Sequence, residues 1–190
     1  MQPRLGSASV ESTPLLDSLY PLYGERSTML CLEDKTKIRA RREEVAAWFR
    51  NLPQHYKEWH PKDHLAFDVL SGEDELHEGS VARAAERLGS FTLLFTFKIT
   101  RVKADRELEW RATLPYRLIN LHGKFMLEER DGTTEVTATA CYGWPVPLLG
   151  RCLDWIVESF FLKKALITKH MREEGKYMRA AIEAEARRKS

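Results

Sequence analysis

Cysteine is scarce in this chain and shows no pattern. Cys31, Cys141 and Cys152 are odd in number, widely spaced and never in a CxxC pair. That argues against a disulfide framework or a thiolate zinc cluster and favours a reducing compartment. Phosphate-cradling loops are missing: neither GxxxxGK followed by Ser or Thr nor GxGxxG occurs, so nucleotide use is not indicated. No GxSxG elbow is present and the cysteines lack a persuasive histidine partner, which removes the common nucleophilic hydrolases. No apolar run approaches the length of a membrane span, and the N-terminal MQPRLGSASVESTPLLDSLYPLY has no continuous apolar core of a signal peptide. A cytoplasmic protein is expected. Charge of one sign is also lacking. Thirty Lys and Arg against 28 Asp and Glu leave a formal charge of +2, so neither nucleic acid nor an anionic membrane is implied as a partner. The basic RRKS end reads as the solvated C-terminus of a helix, where cations complement the helix dipole.

What the chain does have is an ordinary globular composition: 190 residues, 43% hydrophobic and 31% charged. This suits one domain with a sizeable core. Residues 1–27 mix Ser, Pro and Gly without a period and read as a flexible N-terminal arm, leaving 28–190 as a single domain. TMLCLEDKTKIRA predicts a strand or hairpin, and RREEVAAWFRN predicts a helix burying Val45, Trp48 and Phe49, closed by Pro53. An irregular connection follows, LPQHYKEWHPKDH. Then LAFDVLSG, GSVARAAERLG, SFTLLFTFKITRVKA, ELEWRATLPY, RLINLHGKFMLEERDG and TTEVTATACYGW each alternate and are parted by Gly or Asp-Gly turns. With the first strand, these six segments predict an antiparallel sheet of about seven strands. After Pro147 a helical period runs from about Leu148 to Arg187, weakened or bent at Gly175. A curved sheet with one apolar face, covered by a long amphipathic helix, is an α+β architecture.

The last helix carries KHMREEGKY, in which His170 and Glu174 lie four apart and share one face. That spacing presents two metal ligands without distorting a helix, by the same geometry as HExxH. An exposed pair of this kind is worth only a few tenths of a kcal/mol. However, His170 continues the stripe of Trp155, Ser159, Leu162 and Leu166, so the pair should face the sheet, with Glu173 on the flank. Two ligands do not make a site, and the remaining donors must come from His55, His60, His64, Glu86 or His122. Alternation in SVARAAERLG puts Glu86 with Ala82, Ala84 and Leu88, on the inward side; an edge carboxylate pairing with arginine is the plain alternative. Histidines such as those of HYKEWHPKDH more often cap or hydrogen-bond than bind metal.

The element order resembles the helix-grip, Bet v 1-like or START-like superfamily, whose members hold a hydrophobic ligand between sheet and long helix. Within it, HYKEWHPKDH, the following strand glutamate and HMREE resemble the zinc-dependent C–C hydrolases that include 2,4-diacetylphloroglucinol hydrolase and phloretin hydrolase. The resemblance implies one Zn2+ per chain held by His60, Glu86, His170 and Glu174, with Glu78 as the fallback for Glu86. It also implies that Tyr56, Asp63, Tyr142 and His122 orient a phenolic ring, with His122 as proton donor. Trp59, Phe95, Trp144 and Trp155 would wall the pocket. The implied reaction is hydrolysis of the bond between a phenolic ring and an acyl group, with Glu86 and His122 as catalytic residues. Two other readings stay open: a metal-free carrier for a lipid, polyketide or aromatic metabolite, and a polyketide cyclase-like enzyme using the same cavity. The oligomeric state is open too, with a homodimer as the assembly considered.

Overall fold

A computed structural model describes residues 29–143 and 164–189. Strand β1 (Leu30–Ile38) leads into helices α1 (Arg42–Arg50) and α2 (Leu52–Trp59). Strands β2 (His64–Val69), β3 (Val81–Leu88), β4 (Phe91–Lys103) and β5 (Glu107–Ala112) follow, then a 3₁₀ turn (Tyr116–Ile119), β6 (His122–Arg130), β7 (Thr133–Tyr142) and helix α3 (Lys164–Lys189). The strands form one antiparallel sheet in the order β1-β7-β6-β5-β4-β3-β2. This is the helix-grip, Bet v 1-like arrangement expected from the alternating segments and the terminal helix.

Local chemistry explains the elements. The β6–β7 hairpin turns on Asp131 and Gly132, both at positive φ, as a two-residue Asp-Gly turn requires. In β3 and β4, Ala82, Ala84, Leu88, Phe95, Phe97 and Ile99 are all buried, because period-two alternation sends them to one face. Helix α1 buries Val45, Trp48 and Phe49, and the Arg41 backbone N–H at its start donates to the Glu44 carboxylate. Pro53 does not simply close α1 as expected. It occupies the first turn of α2, where a missing N–H costs nothing, so HYKEW is helical rather than an irregular connection.

Helix α3 packs Met171, Met178 and Ile182 into the core. Gly175 is there for proximity and not as a weak point in the helix. A Cβ at this position would collide with Thr36 Oγ1 and lie 3.1 Å from Asp34 Oδ2, so only glycine lets α3 lie this close to β1. The beginning of the expected helix, with Cys152 and Trp155, lies outside the described residues, as do the N-terminal arm and Trp144.

The unpaired-cysteine expectation is corrected. Cys31 and Cys141 face each other in the β1–β7 register and form a disulfide with Cα atoms 4.1 Å apart. They are 110 residues apart in sequence, and only strand pairing brings them together, so spacing alone could not reveal the bridge. The bridge also removes the basis of the reducing-compartment expectation. Among the described residues no helix is long and apolar enough to cross a membrane.

Candidate metal centre

The polypeptide between α2 and β2 makes a tight turn in which the His60 carbonyl accepts from the N–H groups of Asp63 (3.1 Å) and His64 (2.9 Å). Two histidines and a carboxylate therefore leave the turn within a few residues. The β2–β3 register shifts between His64 and Ala66. Such a bulge re-aims side chains, and here it turns His64 to the same side as Phe67, where Tyr56 contacts both rings at centroid distances of 4.1 and 4.7 Å. Glu86 pairs directly opposite His64. Helix α3 then lays His170 and Glu174 over this corner.

The result is a compact donor cluster. Glu174 Oε1 lies 2.9 Å from His64 Nε2 and 3.6 Å from His170 Nε2. Glu86 Oε1 is 4.0 Å from His64 Nε2, and its Oε2 is 3.9 Å from His170 Nε2. Atoms bound about 2.0–2.2 Å from one tetrahedral ion stand roughly 3.3–3.6 Å from each other, and the four separations bracket that spacing. Donor atoms of His64, Glu86 and His170 all lie within 4.8 Å of one another.

Surrounding contacts suit a metal as well. His64 Nδ1 is 3.0 Å from the Tyr56 carbonyl oxygen. A carbonyl only accepts, so Nδ1 carries the hydrogen and the Nε2 lone pair points into the cluster, where in the metal-free protein it accepts from the Glu174 carboxyl at 2.9 Å. The Tyr56 hydroxyl donates to Glu86 Oε1 at 2.5 Å. His170 Nε2 is buried without a hydrogen-bond partner, a costly state unless something binds it. Two imidazole nitrogens and two carboxylates are a donor set that zinc accepts.

Burial sets the electrostatics. It pushes the Glu86 carboxyl above its ordinary range, with nearby Glu174 adding to the rise and His64 opposing it. It raises Glu174 too, helped by Asp34 and Asp63 and opposed by His170. Burial also lowers the imidazoles of His64 and His170, which are therefore neutral at physiological pH. Tyr56 is held protonated, first by burial and then by the adjacent Glu86. Burial thus favours the protonated carboxyls and the neutral imidazoles in the metal-free protein, and a divalent cation would bind in exchange for those protons.

The sequence expectations meet this geometry unevenly. His170, Glu174 and Glu86 converge. Glu78, the fallback, lies elsewhere and accepts from the Val102 backbone N–H. His60 is fully buried, with its ring stacked on His170 at 4.8 Å. Its Nε2, however, faces Asp63 Oδ2 (3.5 Å) and Glu173 Oε2 (3.6 Å) and not Glu86 or Glu174. The imidazole nitrogen that approaches Glu86 and Glu174 is His64 Nε2, not the expected His60. Asp63 Oδ2 also approaches His170 Nδ1 at 3.7 Å, so Asp63 stands behind the donor cluster. Glu173, expected on the flank, reaches His60. His55 stacks on Trp48 away from the cluster.

The expectation for His122 is also corrected. Gly123 packs against Trp110 and Leu127 is buried, so alternation along β6 turns His122 to the opposite face, where its Nδ1 lies 2.7 Å from the Asn120 carbonyl.

Between sheet and helix lies a cavity of about 150 Å³. Its ionisable lining among the described residues is Tyr56, Glu86, Tyr116, Tyr142, His170 and Glu174, and the rest is almost wholly aliphatic and aromatic, Trp59 and Phe95 included. A dry cavity of that size holds about one benzene-sized ring.

No protein-family model and no curated protein matches this chain. Solved structures do. The chain is similar to the Zhui aromatase/cyclase from a Streptomyces species, at 13% identity and a TM-score of 0.63, covering 82% of this chain and 94% of that one. It is also similar to ginseng major latex-like protein 151 from Panax ginseng, at 13% identity and a TM-score of 0.63, covering 80% and 97%. A third is truncated norcoclaurine synthase from Thalictrum flavum, at 10% identity and a TM-score of 0.61, covering 83% and 96%. At these identities the likeness establishes a common fold.

Proposed function

We propose that this protein is a zinc-dependent hydrolase that cleaves the bond between a phenolic ring and its acyl group in a small aromatic ketone of the acylphloroglucinol kind. One observation carries the reading: His64, Glu86, His170 and Glu174 converge beside an apolar cavity of one-ring size. These four residues would hold the ion. When bound, zinc supplies Lewis-acid polarisation of a carbonyl and makes water more acidic.

The chain's own groups account for the rest. Phe95, Trp110 and Leu93 line the cavity, where they stack a flat ring and exclude bulk water. Hydrolysis adds hydroxide to the acyl carbon and a proton to the ring carbon, giving a carboxylic acid and the deacylated phenol. His122 faces away, so the proton is held instead by cavity hydroxyls. Tyr116, whose pKa burial raises, and Tyr142 are the donors within reach of a bound ring. The Tyr56 hydroxyl keeps its proton on Glu86 Oε1 and fixes that carboxylate's rotamer.

Zinc-loaded protein should be offered a panel of monocyclic acylphenols, with loss of the aryl ketone and release of carboxylic acid followed by mass spectrometry. Turnover that stops on chelation and returns with zinc supports the proposal. The second reading is a metal-free cyclase-like enzyme or carrier, which the apolar cavity and the fold shared with an aromatase/cyclase favour. Turnover that persists in chelator points to the enzyme, and chelator-insensitive binding without turnover points to the carrier.

A further inference from the structure

His60 is the residue that the four-donor cluster leaves unexplained. It is 1% exposed, and neither ring nitrogen has a hydrogen-bond partner. A buried imidazole in that state carries an uncompensated desolvation cost. Two carboxylates from separate elements face it: Asp63 from the turn before β2, with Oδ2 at 3.5 Å from Nε2, and Glu173 from α3, with Oε2 at 3.6 Å. Those gaps are too long for charge-assisted hydrogen bonds. Each of the two gaps from His60 matches the spacing of atoms that share an ion about 2 Å from each, and donor atoms of His60, Asp63 and His170 all lie within 4.8 Å of one another.

We propose that His60 Nε2, Asp63 Oδ2 and Glu173 Oε2 form a second, outer site for a divalent transition cation. Lys169 Nζ approaches the other Glu173 oxygen, Oε1, at 3.9 Å, leaving Oε2 free to bind. His170 lies between the two sites, with Nε2 toward Glu86 and Glu174 and Nδ1 toward Asp63. A neutral imidazole has one lone pair, so His170 serves the inner cluster and the outer ion is held by three protein donors. The Asp63 and Glu173 side chains are 26% and 38% exposed, so water completes the outer shell and the outer ion is the weaker and faster exchanging. The mixed nitrogen and oxygen set suits zinc, cobalt or manganese. This site does not depend on the hydrolase reading.

The test is the number of ions bound by the metal-free full-length chain, measured by equilibrium dialysis with zinc and with cobalt, each in excess. His60→Ala and Glu173→Gln should each lower the count by one equivalent relative to the parent chain. Glu173 is at the surface, so its variant should keep the far-ultraviolet circular dichroism of the parent even if His60→Ala loosens the core. Counts unchanged in Glu173→Gln and in a folded His60→Ala overturn the proposal. Glu86→Gln reports on the inner cluster alone. If it fails to remove an ion while His60→Ala does, the outer site stands and the zinc-hydrolase reading falls.

Discussion

His64 stands directly opposite Glu86 across β2 and β3, and a bulge one residue later turns its ring toward the helix that carries His170 and Glu174. Its Nδ1 is tied to the Tyr56 carbonyl, so only Nε2 is left for a ligand. Substituting His64 by alanine should therefore weaken zinc binding by at least about 100-fold, more than loss of a supporting partner costs. His122→Ala should leave zinc affinity unchanged. Competition titrations against a chromogenic chelator measure both, and equal effects would refute the assignment of His64.

Tyr56 tests the supporting layer. Tyr56→Phe keeps the ring that stacks on His64 at 4.1 Å but removes the hydroxyl bonded to Glu86. Zinc affinity should fall by about 10- to 100-fold with the fold intact. Full affinity in this variant would mean that the hydroxyl does not position the carboxylate.

Gly175 tests how closely helix and sheet must approach. Gly175→Ala places a methyl against Thr36 and Asp34, and should destabilise the protein by about 1–3 kcal/mol, as overpacking does elsewhere. Because Glu174 and His170 ride on the same helix, zinc affinity should drop as well. Urea denaturation at the parent's stability would contradict the close contact.

The pH dependence of the metal-free protein follows from the direction of each shift. Glu86 and Glu174 have raised values in the folded state, first through burial. Their stabilising contribution is full below the ordinary value of 4.5 and is lost as pH rises through the raised folded values. His64 and His170 are lowered from 6.5, again first through burial. Their contribution is full above 6.5 and is lost as pH falls through the lowered folded values. Metal-free Glu174→Gln should therefore gain thermal stability over the parent near pH 8, and the gain should vanish near pH 4. A gain of equal size at both pH values would mean that Glu174 is not held ionised at a cost.

Much of this was readable in the residues. Alternation placed Glu86 inward with Ala82, Ala84 and Leu88, and the four-residue step put His170 and Glu174 on the helix's buried face, because both patterns are local. The family resemblance points to His60 by position, whereas the β2 bulge beside His64, which turns that ring toward the helix, leaves no mark in the sequence. The Cys31–Cys141 bridge was missed for a related reason, because the partners meet only through the β1–β7 register. The face of His122 is hidden in the sequence because Gly123, packed against Trp110, sets which side of β6 faces the cavity. Gly175 read as a flaw in the helix because the Thr36 side chain that requires it comes from the far end of the chain.

X-ray data collected on either side of the zinc absorption edge, from crystals of protein purified without added chelator, test the hydrolase account at its root. The account expects an anomalous peak about 2.0–2.2 Å from His64 Nε2, His170 Nε2 and the carboxylates of Glu86 and Glu174. Absence of any peak among those four side chains in zinc-soaked crystals would contradict it.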